Sequence, residues 1–246
     1  MDGLLRCTRY AFGPNRLHYC GPDANREILS YLEAGETDPG LTAMMEKFQT
    51  LYPYLKLIAD ANRIRDPFDD RVVEAYWLGN ELLEAVGKKS FFRHLSDGLN
   101  LRRKVSPGQL DRISEPIGNG AVPHHSYHVF SVWKRTGHTE TAHTIDSIDA
   151  CRISWGRVTE VDGPKIKVLR RPILPSSGAL TLGEHQPVTV MRPLDAREDI
   201  AEVRVGATVT MHWNVPCEVI SDRQKNNLKR YTLRHLKMAT LQPLFN

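Results

Sequence analysis

The sequence predicts an α+β fold: a helical domain over residues 1–117, then a small OB/SH3-like β-barrel domain over 118–246 with a basic C-terminal helix. Three observations predict it. Before Glu115 the apolar residues recur at steps of three and four, the helical period. After Gly118 the chain turns to short β-branched and aromatic runs separated by turn residues, the pattern of a small barrel. At Ser221-Asp222-Arg223-Gln224 a capping box opens a last amphipathic stretch. A chain of 246 residues holds two modest domains. Its 41% hydrophobic and 25% charged residues exclude wholesale disorder.

The helices follow in order. Asp23 is placed to cap a helix through Ala34, ended by Gly35. Asp38-Pro39 sets a capping side chain before a proline at the first helical position, and Leu41, Met44, Met45, Phe48, Leu51, Leu55 and Ile58 follow as a stripe. Pro53 falls inside that stripe and predicts a kink or a break. Asp69 or Asp70 opens a third helix carrying Val72, Tyr76, Leu82, Leu83 and Val86, with Gly87 as its end. A shorter piece around 91–95 ends near Gly98, and Ser106-Pro107-Gly108-Gln109 starts a final turn or two.

The strands come next. Residues 129–133 and 153–161 are strand-like, and Asp162-Gly163 separates 157–161 from 165–169 as a hairpin turn does. Residues 187–191, 203–213 (broken at Gly206) and 216–220 supply further strands, while 174–186 reads as a surface loop. The closing helix runs from Ser221 to about Thr240, with Leu228, Tyr231, Leu233 and Leu236 as its apolar stripe.

Composition narrows the function. No apolar run approaches the roughly 18–20 residues of a membrane helix; the nearest, Leu55-Lys56-Leu57-Ile58-Ala59, is short and carries a charge. The start of the chain lacks the basic and apolar regions of a secretory signal, so a cytoplasmic location is expected. Four cysteines in a chain of this length are not a disulfide framework. A net charge of +4 is too mild to announce nucleic-acid binding by itself. Neither a phosphate-binding Gly-rich loop nor a dinucleotide fingerprint nor a Gly-x-Ser-x-Gly elbow is present.

Three pieces of the second half form one pattern. Cys151-Arg152-Ile153-Ser154-Trp155-Gly156-Arg157-Val158 leads through a strand to Asp162-Gly163. Val203-Arg204-Val205-Gly206-Ala207-Thr208-Val209-Thr210-Met211 then leads to His212, and 216–220 precedes the terminal helix. Residues of about 151–220 thereby resemble the HypC/HupF hydrogenase-assembly chaperones, which pair an N-terminal cysteine with a histidine. The resemblance implies a HypC-like barrel and a maturation role for a nickel–iron hydrogenase. It implies transient iron ligation by Cys151 and His212, and a protein partner such as the hydrogenase large subunit or its maturation factors. Cys151 is internal here, so no free α-amino group lies beside it. The segment from Cys7 to Asp23 resembles the start of an uncharacterised family associated with hydrogenase gene clusters.

The residues themselves support a metal role in a limited way. A thiolate and an imidazole suit iron, nickel or zinc, and Arg152 and Arg157 near Cys151 favour a thiolate. Against that stands a buried strand cysteine and a histidine that never meet. The run Pro123-His124-His125-Ser126-Tyr127-His128 is the densest histidine group: His124 and His128 share a face whether extended or helical, and His125 points elsewhere. His138, Glu140 and His143 follow, but no defined zinc spacing is matched. The segment between Cys7 and Cys20 reads as a structured loop packed on the helices, or as one that presents His18 and Cys20 to a partner. The basic helix offers Lys229, Arg230 and Arg234 to an acidic protein or to a nucleic acid.

The expected function is therefore a non-catalytic accessory protein in metalloenzyme assembly. Two alternatives remain open at this point: a nucleic-acid-binding barrel using the basic helix, and a metal-dependent enzyme using the His124–His143 group.

Overall fold

The computed structural model describes residues 2–132, 144–191 and 203–239. Eight helices precede the histidine run: α1 (Gly3–Asn15), α2 (Asn25–Ala34), α3 (Pro39–Glu46), α4 (Leu51–Ala61), α5 (Asp70–Trp77), α6 (Lys88–Arg93), α7 (Leu101–Lys104) and α8 (Pro107–Gly118). Capping is where the sequence places it at four helices but not at α2, whose N-cap is Ala24 without a side-chain bond, Asp23 pairing with His18 instead. Asp38 accepts from the Leu41 amide with Pro39 at the first turn, and Ser106 and Gln109 form a reciprocal capping box. The stripe containing Pro53 breaks between α3 and α4, leaving that proline in the first turn of α4, where its missing N–H costs nothing.

Two helical expectations change. The segment from Cys7 is a loop only after Asn15: up to there it is α1, a helix whose residues are buried on nearly every side, so no amphipathic stripe betrays it. The third helix stops at Trp77 rather than Gly87. The Gly79 amide closes it by bonding the Glu74 carbonyl, at φ +87°. A Cβ on Gly79 would lie 2.1 Å from Tyr231 Cδ2. Gly79→Ala is therefore expected to cost about 3 kcal/mol, combining left-handed strain with overpacking against the Tyr231 ring. Urea unfolding measures it, and a loss under about 0.5 kcal/mol would contradict the packing described.

The histidine run is helical too. A single turn, α9 (His125–Tyr127), passes into a wide turn over His128–Val132, and its residues are buried throughout. The strand expected over 129–133 is thus a helical segment in its described part, 129–132. Full burial removes the periodicity that separates strand from helix. After α10 (Ile145–Cys151) come β1 (Ser154–Asp162), β2 (Lys165–Arg170), β3 (Ile173–Ser176), β4 (Ala179–Leu182), β5 (Gln186–Met191), β6 (Thr208–His212) and β7 (Val215–Val219), then α11 (Asp222–Met238). The presumed loop 174–186 is largely the β3–β4 hairpin, turning at Ser177-Gly178, both with positive φ.

The strands do not close into a barrel. They form an open antiparallel five-stranded sheet in the order β5-β2-β1-β6-β7, with β3-β4 as a separate ribbon. Helix α1 packs on β6 and β7, and its Tyr10 hydroxyl reaches Thr210 and Glu218. The sheet is covered by a helix there. One apolar cluster runs from Cys7 and Tyr10 through Tyr54, Val73 and Trp77 to Ile153, Cys217, Leu228 and Tyr231, spanning residues assigned above to both halves. A second, smaller cluster on the other face of the sheet holds Val158, Ile166, Val168, Val209 and Met211.

Candidate metal centre

Alternation along β6 sends Val209 and Met211 to the sheet's own cluster and Thr210 and His212 toward α1. His212 is the last residue of the strand. The two-residue turn after it, Trp213-Asn214, has φ of +51° and +60°, the hairpin conformation that reverses β6 into β7. A tryptophan in the left-handed region is strained by roughly 1–2 kcal/mol. It is held there by its amide bond to the Ala150 carbonyl (2.8 Å) and by the Tyr19 ring 4.6 Å away.

The same register brings Cys151 in. Antiparallel β1 sets Ser154 opposite Met211, so the chain just before Ser154 arrives beside His212. Arg152 fixes this approach from the interior. It is 1% exposed, bonds Asp149 through Nε (2.9 Å) and caps the Arg171 carbonyl, while Asp149 also receives Arg170 and the Ile173 amide. On the third side, His125 Nε2 lies 2.9 Å from the Cys151 carbonyl.

Ligand atoms of His125, Cys151 and His212 lie within 4.8 Å of one another. Among the described residues this is the one such His/Cys/carboxylate group. Donors around a tetrahedral ion sit roughly 3.3–3.8 Å apart, given bonds of about 2.0–2.3 Å. Closing on an ion from 4.8 Å therefore takes a shift of about 1.0–1.5 Å at most.

The protonation states suit ligation. Burial pushes His212 down to about 4, with the Tyr10 and Cys151 carbonyls opposing, and it pushes His125 well below its usual value, helped by His212. Both rings are neutral at pH 7. His212 Nδ1–H donates to the Tyr10 carbonyl at 2.6 Å, which leaves the lone pair on Nε2, an atom that makes no hydrogen bond of good geometry although the Cys151 carbonyl also acts on the ring. His125 donates from Nε2 to Cys151 and accepts the Tyr76 hydroxyl at Nδ1, 3.2 Å away. Trp77 stands beside both rings, with centroids 4.6 Å from His125 and 5.5 Å from His212. Helix α1 presses close from above: a Cβ on Gly13 would come within 2.4 Å of the His212 carbonyl oxygen. Cys151 is half-buried, the most open member of the group.

The other residues singled out by sequence lie elsewhere. His124 accepts the Ser126 amide and hydroxyl at Nδ1, so its lone pair is taken; Ser126 in turn receives His235 Nδ1–H. His128 meets the edge of Tyr54. The two do not share a metal-ligand group; the histidine between them joins one instead. His138, Glu140 and His143 lie outside the described residues. Nothing in the spacing marks His125 over its neighbours, because the choice depends on how a one-turn helix is rolled.

His18 is exposed and pairs with Asp23 (3.1 Å), while Cys20 is half-buried against the main core. Cys7 and Cys217 are fully buried; burial raises the Cys7 thiol to about 12, and burial with Glu218 holds the Cys217 thiol well above its ordinary value. Arg230 and Arg234 both pair with Glu84 (3.3 and 2.8 Å), so part of the basic helix's charge is answered within the chain; Lys229 is exposed. No helix among the described residues is long and apolar enough to cross a membrane.

Fold and site together define a mixed helix-and-sheet protein with a buried His–Cys–His cluster where helical and sheet parts meet. Over residues 1–243 the chain matches DUF6390, a family of unknown function, and it belongs to that family. No curated protein and no solved structure matches it.

Proposed function

We propose that this protein holds a thiophilic transition-metal ion through His125, Cys151 and His212 and serves as an accessory protein in the assembly of a metalloenzyme. One observation carries the reading: three donors from distant parts of the chain converge within 4.8 Å, and one of them, His212, offers a buried lone pair that makes no hydrogen bond of good geometry. Tyr10 orients His212 as an outer-shell group orients a ligand. His125 supplies an imidazole nitrogen in exchange for one of its present hydrogen bonds.

Thiolate and imidazole together suit iron, copper, nickel or zinc. The likeness of 151–220 to the HypC/HupF chaperones favours iron, held transiently, and a nickel–iron hydrogenase large subunit or its maturation factors as partner. The approach of Cys151 to His212 depends on the β1–β6 register rather than on closure of the sheet.

Two experiments test this. Protein purified from its native host is expected to carry close to one metal per chain, with Cys151→Ala and His212→Ala each losing most of it while keeping the wild-type circular dichroism. A metal content unchanged by both substitutions would refute the site. Deleting the gene in a cell that makes a nickel–iron hydrogenase is expected to leave the large subunit unactivated; normal activation would refute the hydrogenase assignment and leave the metal site standing.

A further inference from the structure

We propose that the cleft between α6 and the end of α8 is the face on which an acidic, apolar-tipped segment of a partner protein docks. The proposal rests on the accessory-protein reading above and uses none of the metal-centre residues. The cleft holds about 470 Å³, and Lys88, Lys89, Arg93 and Arg102 line it against a single carboxylate, Asp97. It forms where α6, the wide turn after it (His94–Gly98) and α7 fold back on α8, with Lys88 Nζ bonding the Gly118 carbonyl at 2.7 Å. Helical geometry sets the direction of each side chain. Phe91 turns into the core, while Phe92, about a quarter-turn further round, lines the cleft and is 39% exposed. Lys89 and Arg93 stand one turn apart on α6, and neither pairs with a carboxylate among the described residues. Like charges at that spacing repel and weaken a helix, so helix stability does not account for the pair. Arg102 reaches Asp97 only at 3.8 Å, with both side chains more than half exposed.

The cleft therefore complements an anion with an apolar body. The Phe92 ring and Ile117 at its side offer a seat to a large apolar side chain, and the cations around them take carboxylates, which an arginine grips with two parallel bonds. The extent of the charge favours a peptide over a nucleic acid. Past Gly118 the neighbouring cation is Arg234, since a Cβ on Gly120 would stand 3.4 Å from its Nη2. Arg234, with Arg230, is answered by Glu84. On that side the unanswered charge stops at the edge of the cleft, whereas a phosphate backbone calls for cations that continue along a track.

Fluorescence anisotropy with the full-length protein tests this, using a labelled peptide of sequence Asp-Glu-Leu-Phe-Glu-Asp-Glu. Binding is expected at low salt, and it falls as salt rises from about 50 to 300 mM. The double change Lys89→Glu with Arg93→Glu is expected to weaken it about tenfold or more, and Phe92→Ala roughly three- to tenfold, each with wild-type circular dichroism and metal content. Lys165→Glu, on the β1–β2 hairpin, is expected to leave it unaltered. No binding of the peptide up to about 1 mM, or binding that the double change leaves intact, would overturn the proposal. Tighter binding of a short oligothymidylate or of ATP would overturn it too, by marking the cleft as a nucleic-acid or nucleotide site. In the native host the double variant is expected to carry its metal and yet fail to support activation of the metalloenzyme. Full activation by that variant would overturn the docking assignment alone, whereas normal activation without the protein would overturn the accessory reading itself.

Discussion

Acidification from pH 7 to about pH 4.5 is expected to unfold the metal-free protein cooperatively, with uptake of several protons. His94, His124, His125, His212 and His235 are all buried, and burial lowers each of them: His94 and His124 to about 3, His212 to about 4, the other two well below the usual range. Unfolded, each titrates near 6.5. Above that value both states are neutral and the histidines add no pH dependence. Below it the unfolded chain takes up protons that the folded chain refuses, so stability falls by about 1.4 kcal/mol per pH unit for each histidine until the folded value is reached. Five such groups together approach about 7 kcal/mol per unit, against a typical total stability of about 5–15 kcal/mol. A midpoint between about pH 6 and 4.5 follows. Circular dichroism across pH 8 to 3 checks it; a protein still folded at pH 3.5 with unchanged urea stability would show that these rings are not buried neutral.

Removing Arg6 is the second change of large effect. Its guanidinium sits inside the protein between three carboxylates: Nη2 and Nε on Glu218 (3.0 and 3.1 Å), Nη1 on Asp70 (2.9 Å) and Nη2 near Glu74 (3.4 Å). Burial works against that charge, but Glu218 foremost, with Tyr10 and Asp70, overrides it and keeps Arg6 above its ordinary range. Glu218 also receives the Tyr10 hydroxyl (2.7 Å), and Glu74 receives Arg223 (3.0 Å) and Gln224 (2.7 Å). The network therefore ties α1, α5, β7 and α11 together. Arg6→Ala leaves Glu218 charged, buried and deprived of its cation, at an expected cost of about 3–5 kcal/mol in urea unfolding. Arg6→Lys recovers only part of this, because a lysine cannot grip Glu218 with two parallel bonds. A loss below about 1 kcal/mol for Arg6→Ala would show that the interior is wet at that point.

What was legible in the sequence followed local physical signals. Asp38, Ser106 and Ser221 cap the helices they were expected to cap, and Asp162 pairs with Lys165 across the hairpin it was expected to start. Signals that depend on a solvated face failed where no such face exists. Helix α1 and residues 128–132 are buried on all sides and carry no readable period. The open sheet was read as a barrel because strand count and turn chemistry are the same in both. Neither signal reports the packing of α1 on β6 and β7, a contact between residues some two hundred positions apart, as in Tyr10 and Thr210. Of the centre, Cys151 and His212 were visible as a soft–borderline donor pair. Spacing favours His124 and His128, which share a face, over His125; in the structure Ser126 takes the His124 lone pair and the Tyr54 ring meets His128.

X-ray absorption at the metal edge of the loaded, full-length protein tests the central claim most directly. A centre built on Cys151, His125 and His212 predicts sulfur at about 2.3 Å and nitrogen at about 2.0–2.1 Å for zinc, with the sulfur contribution reduced or lost in Cys151→Ala. A shell of light atoms without sulfur, or a spectrum that Cys151→Ala leaves unchanged, would contradict it.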